Sequence, residues 1–304
     1  MNLSLQSVVR RMPLGKSVLG RLRLHPLFLL LAVLAVGAGY WRELVVLFLL
    51  VMLHELGHAA MASHFGYEVE EVSLLPFGGV ARLSYGGIGF APRSEAAIAI
   101  AGPLVNFCLV VLALSLQEVG LWTHAFAMEV IKLNLWIALF NLLPGFPLDG
   151  GRVLRAARSR TVGYEQATLE AYRMSIALSV FLLCLGGFAL WAGYPHVGIL
   201  ILGVFLFVTA WTGRKQVASE TVRFLDTKRR TVISPLHPQK VRTLAVTLDT
   251  PVRDVVRQFA PERYHLVYVL NGEGRVSTIV EEQELLDAVF QGDWLQPIRN
   301  LIHP

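Results

Sequence analysis

The 304-residue chain is 54% apolar and only 16% charged, with a mean hydropathy of +0.54, which excludes a disordered chain and an ordinary soluble globule. Of its 49 Asp, Glu, Lys and Arg residues, 24 fall in the last 92 positions, so a membrane domain is followed by a small domain of ordinary composition. The net charge of +5 does not point to direct nucleic-acid binding, because the cations flank apolar runs and form no reader motif, while Cys108 and Cys184 lie inside such runs and imply no disulfide framework or cysteine zinc site.

Residues 1–24 carry Arg10, Arg11, Lys16, Arg21 and Arg23 without an acid and read as a basic cytoplasmic N-terminal segment. A cleaved signal peptide competes with that reading, since Ala35 to Gly39 resemble a cleavage stretch. The very short turn Trp41-Arg42-Glu43 between two apolar runs favours a membrane hairpin instead. Spans are expected at 26–41, 44–64, 95–116, 124–144, 174–192 and 196–212, inside a membrane domain covering 25–212. The loops 65–94 and 145–173 and the tail after Trp211 hold most of the cations, whereas the opposite loops hold only Arg42, which places both termini in the cytoplasm.

Within 65–94, apolar residues flank Pro76-Phe77-Gly78-Gly79 and predict a short membrane-associated β-hairpin. At membrane depth its edges must be buried or paired, and an extended peptide is one possible partner. Glu129 and Lys132, at i, i+3 in the fourth span, read as a structural pair. Residues 213–234 form a basic linker expected on the anionic leaflet. Beyond them, 235–304 predict strands at 244–248, 266–270 and 275–280 and helices at 252–259 and 281–290, a unit small enough to want a partner surface. The expected fold is therefore an α-helical polytopic membrane protein of about six transmembrane helices with a β-hairpin, plus a small α/β cytoplasmic domain.

His54-Glu55-Leu56-Gly57-His58 is an H-E-x-x-H motif on the second span. Residues i and i+4 share a helix face, so both imidazoles can bind one Zn²⁺ while Glu55 reaches water beside it. Three ionisable groups are costly in an apolar span, which argues for function over a polar helix contact. A catalytic zinc needs a third protein ligand and one open position. His64 would require the chain to turn after His58, where Met61 stands in place of a glycine. Asp149 is the better candidate, in the Pro- and Gly-rich segment Asn141 to Arg152 that breaks the helix after the fourth span at the depth of His58.

Together these two motifs resemble those of the site-2 protease family of intramembrane zinc metalloproteases, over most of residues 25–212. The resemblance implies one zinc per chain held by His54, His58 and Asp149, with Glu55 as general base. Gly102-Pro103-Leu104-Val105-Asn106 matches a further family segment, in which Asn106 either donates a hydrogen bond near the reacting groups or makes a polar contact between spans. Gly79 and Val80 are candidate substrate contacts on the hairpin, which would take an extended substrate by strand addition.

The segments Thr250 to Val256, Tyr264 to Leu270 and Gly272 to Val276, with Glu284-Leu285-Leu286, resemble a CBS domain over 235–304. Such domains pair and bind adenine nucleotides, which implies a homo-oligomer and ATP as a possible second cofactor. Glu281 and Glu284 occupy the positions of the ribose-binding segment, and acids there disfavour a phosphate, so a module that only dimerises or grips substrate stays open. A site-2-type domain with one such module resembles the sporulation branch of the family. That branch implies removal of the pro-sequence of a sigma factor, inhibitory membrane partners, and a place in the mother-cell membrane around the forespore. A CBS-gated transporter is the alternative of another class, but it would need polar residues strung through several spans.

Overall fold

The computed structural model describes residues 22–24, 33, 36–75, 78–84, 90–194, 196–230 and 240–302. In chain order these form β1 (Leu22–Leu24), α1 (Trp41–His64), β2 (Glu68–Leu75), β3 (Gly78–Ser84), α2 (Pro92–Glu118), α3 (His124–Asn141), α4 (Asp149–Val162), α5 (Tyr164–Trp191) and α6 (Val197–Arg230). A second group follows: β4 (Val241–Thr247), α7 (Val252–Val256), β5 (Tyr264–Leu270), β6 (Val276–Glu281) and α8 (Glu282–Gln291).

Four helices among the described residues, α1, α2, α5 and α6, are long and apolar enough to cross a membrane. The expected fourth span is present as α3, but its 18 residues include His124, Glu129, Lys132, Asn134 and Asn141, which leave it less apolar than the other four. It packs along α2, with Ala113, Val130 and Ile131 buried at one apolar cluster. The first expected span lies largely outside the described residues. Glu129 is paired with Arg42 of α1 at 3.6 Å, and Arg42 also lies over the Phe126 ring, so this acid ties α3 to α1.

The hairpin is one strand richer than its sequence predicts. β2 and β3 pair antiparallel from Glu68↔Ser84 to Leu75↔Gly78, and β1 adds parallel to β2 from Leu22↔Val72 to Leu24↔Leu74. Leu22–Leu24 thus leave the basic N-terminal segment and become sheet; three residues are too few to carry a period, and a parallel partner needs a long crossover, here containing α1. β3 lies beside α1.

Of the expected basic linker 213–234, residues 231–234 lie outside the described residues and the rest is helical. α6 continues as one 34-residue helix to Arg230, so residues 213–230 extend the last apolar helix. Its terminal cations are taken up by protein: Lys228 Nζ lies 2.8 Å from Glu282 Oε1, and Arg229 Nε lies 2.7 Å from Asp287 Oδ1.

β4, β5 and β6 form a sheet in that order, parallel then antiparallel, with α7 and α8 packed on one face. Phe259, Val267, Leu285 and Leu286 are fully buried there, each contributing roughly 1.5–3 kcal/mol relative to exposure. The core is shared, because Tyr164 of α5 and Phe224 and Leu225 of α6 belong to it. Gly163 makes the approach possible: its φ is +93°, and a Cβ there would stand 2.9 Å from the Gln258 carbonyl oxygen. The next amide, Tyr164 N, donates to Phe259 O at 3.1 Å, and Arg257 pairs with Glu165 at 3.1 Å.

Under this junction lies Arg155, one of the cations counted toward topology and in fact buried. It ion-pairs with Glu95, donates to Tyr164 Oη at 3.3 Å, and sits over the rings of Phe90, Phe146 and Tyr164. It thereby joins α2, α4, α5 and the loop that leads to Asp149.

Candidate metal centre

α1 supplies His54, Glu55 and His58, all buried although their helix is mostly Leu, Val, Phe, Met and Ala. One helical turn separates the two imidazoles, whose Nε2 atoms converge to 3.1 Å. The third member arrives from a distant part of the chain. After α3 ends, residues 142–148 fold back on the first turn of α4. Gly150 and Gly151 permit this, since a Cβ on either would collide with the backbone of Leu142, Leu143 or Gly145. Asp149 is the first residue of α4, where the helix N-terminus favours a carboxylate. Its Oδ2 lies 3.2 Å from His54 Nε2 and 3.1 Å from His58 Nε2.

The outer nitrogens of both rings face oxygens. His58 Nδ1 is 2.7 Å from the Ile98 carbonyl oxygen, and His54 Nδ1 is 2.5 Å from Asn106 Oδ1. Each Nδ1 therefore carries the proton and donates, which leaves both Nε2 atoms as acceptors. Two such lone pairs and a carboxylate oxygen, at mutual distances of 3.1–3.2 Å, have no proton to share and call for a cation. Tetrahedral bonds of about 2.0–2.1 Å place ligand atoms about 3.3 Å apart, so the triangle fits zinc. Gly102 of α2 keeps the space open: a Cβ there would collide with His58 Nε2 and lie 2.7 Å from His54 Nε2. A ligand atom of Glu55 lies within 4.8 Å of those of His54 and His58, close enough to share a water molecule with a metal held there.

The remaining expected positions fall in three places. His64 ends α1, exposed and against Phe65, away from the cluster. Asn106 is buried, with its Oδ1 bonded to His54 Nδ1. Gly79 and Val80 pair with Leu74 and Ser73 in the β2–β3 ladder. Glu281 accepts from Tyr264 Oη at 3.1 Å, and Glu284 is exposed in the first turn of α8. Gly102, Asn134 and the Ile98 carbonyl were not singled out by sequence. Only the match of residues 102–106 to a family segment pointed toward the first of them.

Residues 43–132 and 115–185 match peptidase family M50. The chain is 32% identical to stage IV sporulation protein FB of Bacillus subtilis over 272 residues, covering 89% of this chain and 91% of that protein. It is 31% identical to a zinc metalloprotease of Methanocaldococcus jannaschii over 224 residues, covering 70% of this chain and 63% of that protein. Among solved structures it is similar to the site-2 protease from Methanocaldococcus jannaschii, with a TM-score of 0.52 and 30% identity, over 64% of this chain and 90% of that one.

Proposed function

The chain belongs to peptidase family M50, the site-2 proteases, and from that premise we propose that it hydrolyses a peptide bond in or near the membrane, with His54, His58 and Asp149 holding one zinc ion. The observation that carries this reading is the convergence of three proton-free acceptor atoms inside an apolar bundle. Zinc bound there supplies Lewis acidity, polarising the scissile carbonyl and lowering the pKa of water towards about 7. Glu55 accepts the proton of the attacking water and delivers it to the leaving amine. Asp149 and the two imidazoles keep their ligand atoms fixed, and the surrounding apolar helices limit competing water.

A transmembrane helix hides its carbonyls in its own hydrogen bonds, so the substrate segment must be extended when cut. β3, paired to β2 on one side and lying beside α1, is suited to receive it as an added strand, with Gly79 and Val80 at the contact. The asymmetry of Lys and Arg supports a cytoplasmic placement of both termini.

The substrate we favour is the pro-sequence of a sporulation sigma factor, in the mother-cell membrane and under restraint by membrane partners. The similarity to stage IV sporulation protein FB over nearly the whole of both chains supports this. Another membrane-bound regulator is the second reading, favoured by the comparable identity to a relative named only as a zinc metalloprotease. The C-terminal domain is read as regulatory or substrate-gripping. The sheet face away from its helices exposes Val241, Val276 and Ile279, which favours pairing with a second copy. ATP added to the full chain tests nucleotide control, and an unchanged cleavage rate removes it.

Co-expression with a candidate pro-sigma factor is the direct test. Glu55→Gln and Asp149→Asn should each abolish processing, while wild type converts the substrate. Processing by Glu55→Gln at the wild-type rate would refute the mechanism.

A further inference from the structure

We propose that Asn134, acting through Asn106, is a positioning residue that holds His54 in the one tautomer able to bind the metal. The proposal rests on the reading of His54 as a zinc ligand. The relay starts at a group with no freedom: the Val130 carbonyl oxygen can only accept, and Asn134 Nδ2 donates to it at 2.8 Å. That turns Asn134 Oδ1 toward α2, where it accepts from Asn106 Nδ2 at 2.8 Å. Asn106 has then spent its donor end and can offer His54 only Oδ1, at 2.5 Å from Nδ1. A proton is thereby required on Nδ1, and a neutral imidazole so protonated has its lone pair on Nε2, the atom beside Asp149 and His58.

The direction of one helical carbonyl is thus passed through two amides to the metal-facing nitrogen of His54. Both asparagines have 0% exposure, so no solvent competes for these bonds. His58 needs no relay, because its Nδ1 meets a backbone oxygen, that of Ile98, directly. An asparagine pair serving only to glue α2 to α3 would work in either orientation; this pair is anchored in one.

Zinc affinity of the purified full chain, measured by competition with a chelator, tests the relay without reference to activity. Asn134→Leu frees the Asn106 amide to rotate and offer its Nδ2 to His54, favouring the wrong tautomer, and affinity should fall roughly 10–100-fold. Adding Asn106→Asp to that variant should restore it, because a carboxylate accepts from Nδ1 whichever way it turns. If leucine unfolds the chain, Asn134→Ala removes the same bonds without added bulk and is read the same way. Wild-type affinity in the folded single variant overturns the proposal, as does a double variant that stays as weak as the single. His54→Ala separates the two levels: unchanged zinc affinity there brings down the ligand reading and the relay with it, whereas lost affinity there with no effect at Asn134 brings down the relay alone.

Discussion

At Gly102 a single methyl group would reach the metal-facing nitrogens of both histidines. In a helix interior alanine is favoured over glycine by about 1 kcal/mol, so Gly102→Ala should leave α2 at least as stable on its own account. Zinc content should nonetheless drop at least tenfold, measured by metal analysis of the purified variant beside its far-ultraviolet circular dichroism. The meeting of His54, His58 and Asp149 was legible from sequence because its signal is local: the four-residue spacing of the two histidines on one helix face, and the prolines and glycines that end a helix before Asp149. Gly102 and Asn134 were not, since a glycine and an asparagine in apolar helices look alike wherever they point. Their roles exist only once α2 and α3 are packed against α1.

Among the elements, β3 offers a test of how substrate is held. It has β2 as its hydrogen-bonded partner on one side, and along a strand successive amides point alternately toward that partner and away from it. Proline introduced one residue at a time from Val80 to Ser84 should therefore act with period two. At positions whose amide faces β2, proline should disrupt the hairpin. At the alternate positions the chain should fold normally but cleave its substrate at least tenfold more slowly, as followed by processing after co-expression. Uniform wild-type cleavage would exclude strand addition. Periodicity made the β2–β3 hairpin and the C-terminal elements visible in advance, while β1 was hidden by its length and the full reach of α6 by its composition. Charges at 214–230 look like a linker to a reader who sees only apolar runs, but Glu, Lys and Arg are good helix formers, and their partners lie in a domain that sequence cannot place.

For the whole molecule, the contact between α6 and the C-terminal domain runs through a triad whose histidine and glutamate are buried. His265 is fully buried, accepts from the Ala260 amide at Nε2 (3.0 Å), and donates from Nδ1 to Glu282, which in turn pairs with Lys228 of α6. Burial holds the His265 pKa below the usual histidine range, against the pull of Glu282 and with a contribution from Lys228 and Arg242. The unfolded form therefore binds a proton in a range where the folded form does not, and the stability this group confers is complete above about pH 6.5 and lost as pH falls below it. Hydrogen exchange at the Ala260 amide, corrected for its intrinsic rate, should show protection declining from pH 7 to pH 5. His265→Gln should flatten that dependence.

α6 has 34 residues and so measures about 51 Å, against a hydrocarbon layer of about 30 Å. Roughly 20 Å of it acts as a mast, with the C-terminal domain lashed to it by Lys228 and Arg229 and to α5 by Tyr164. A rod without a hinge works as a lever. Because the helix is continuous from its apolar part to the domain's core, a tilt of that apolar part would displace the domain packed at its other end. Arg155 sits at that junction, over Tyr164 of the domain's core and over Phe146 on the approach to Asp149.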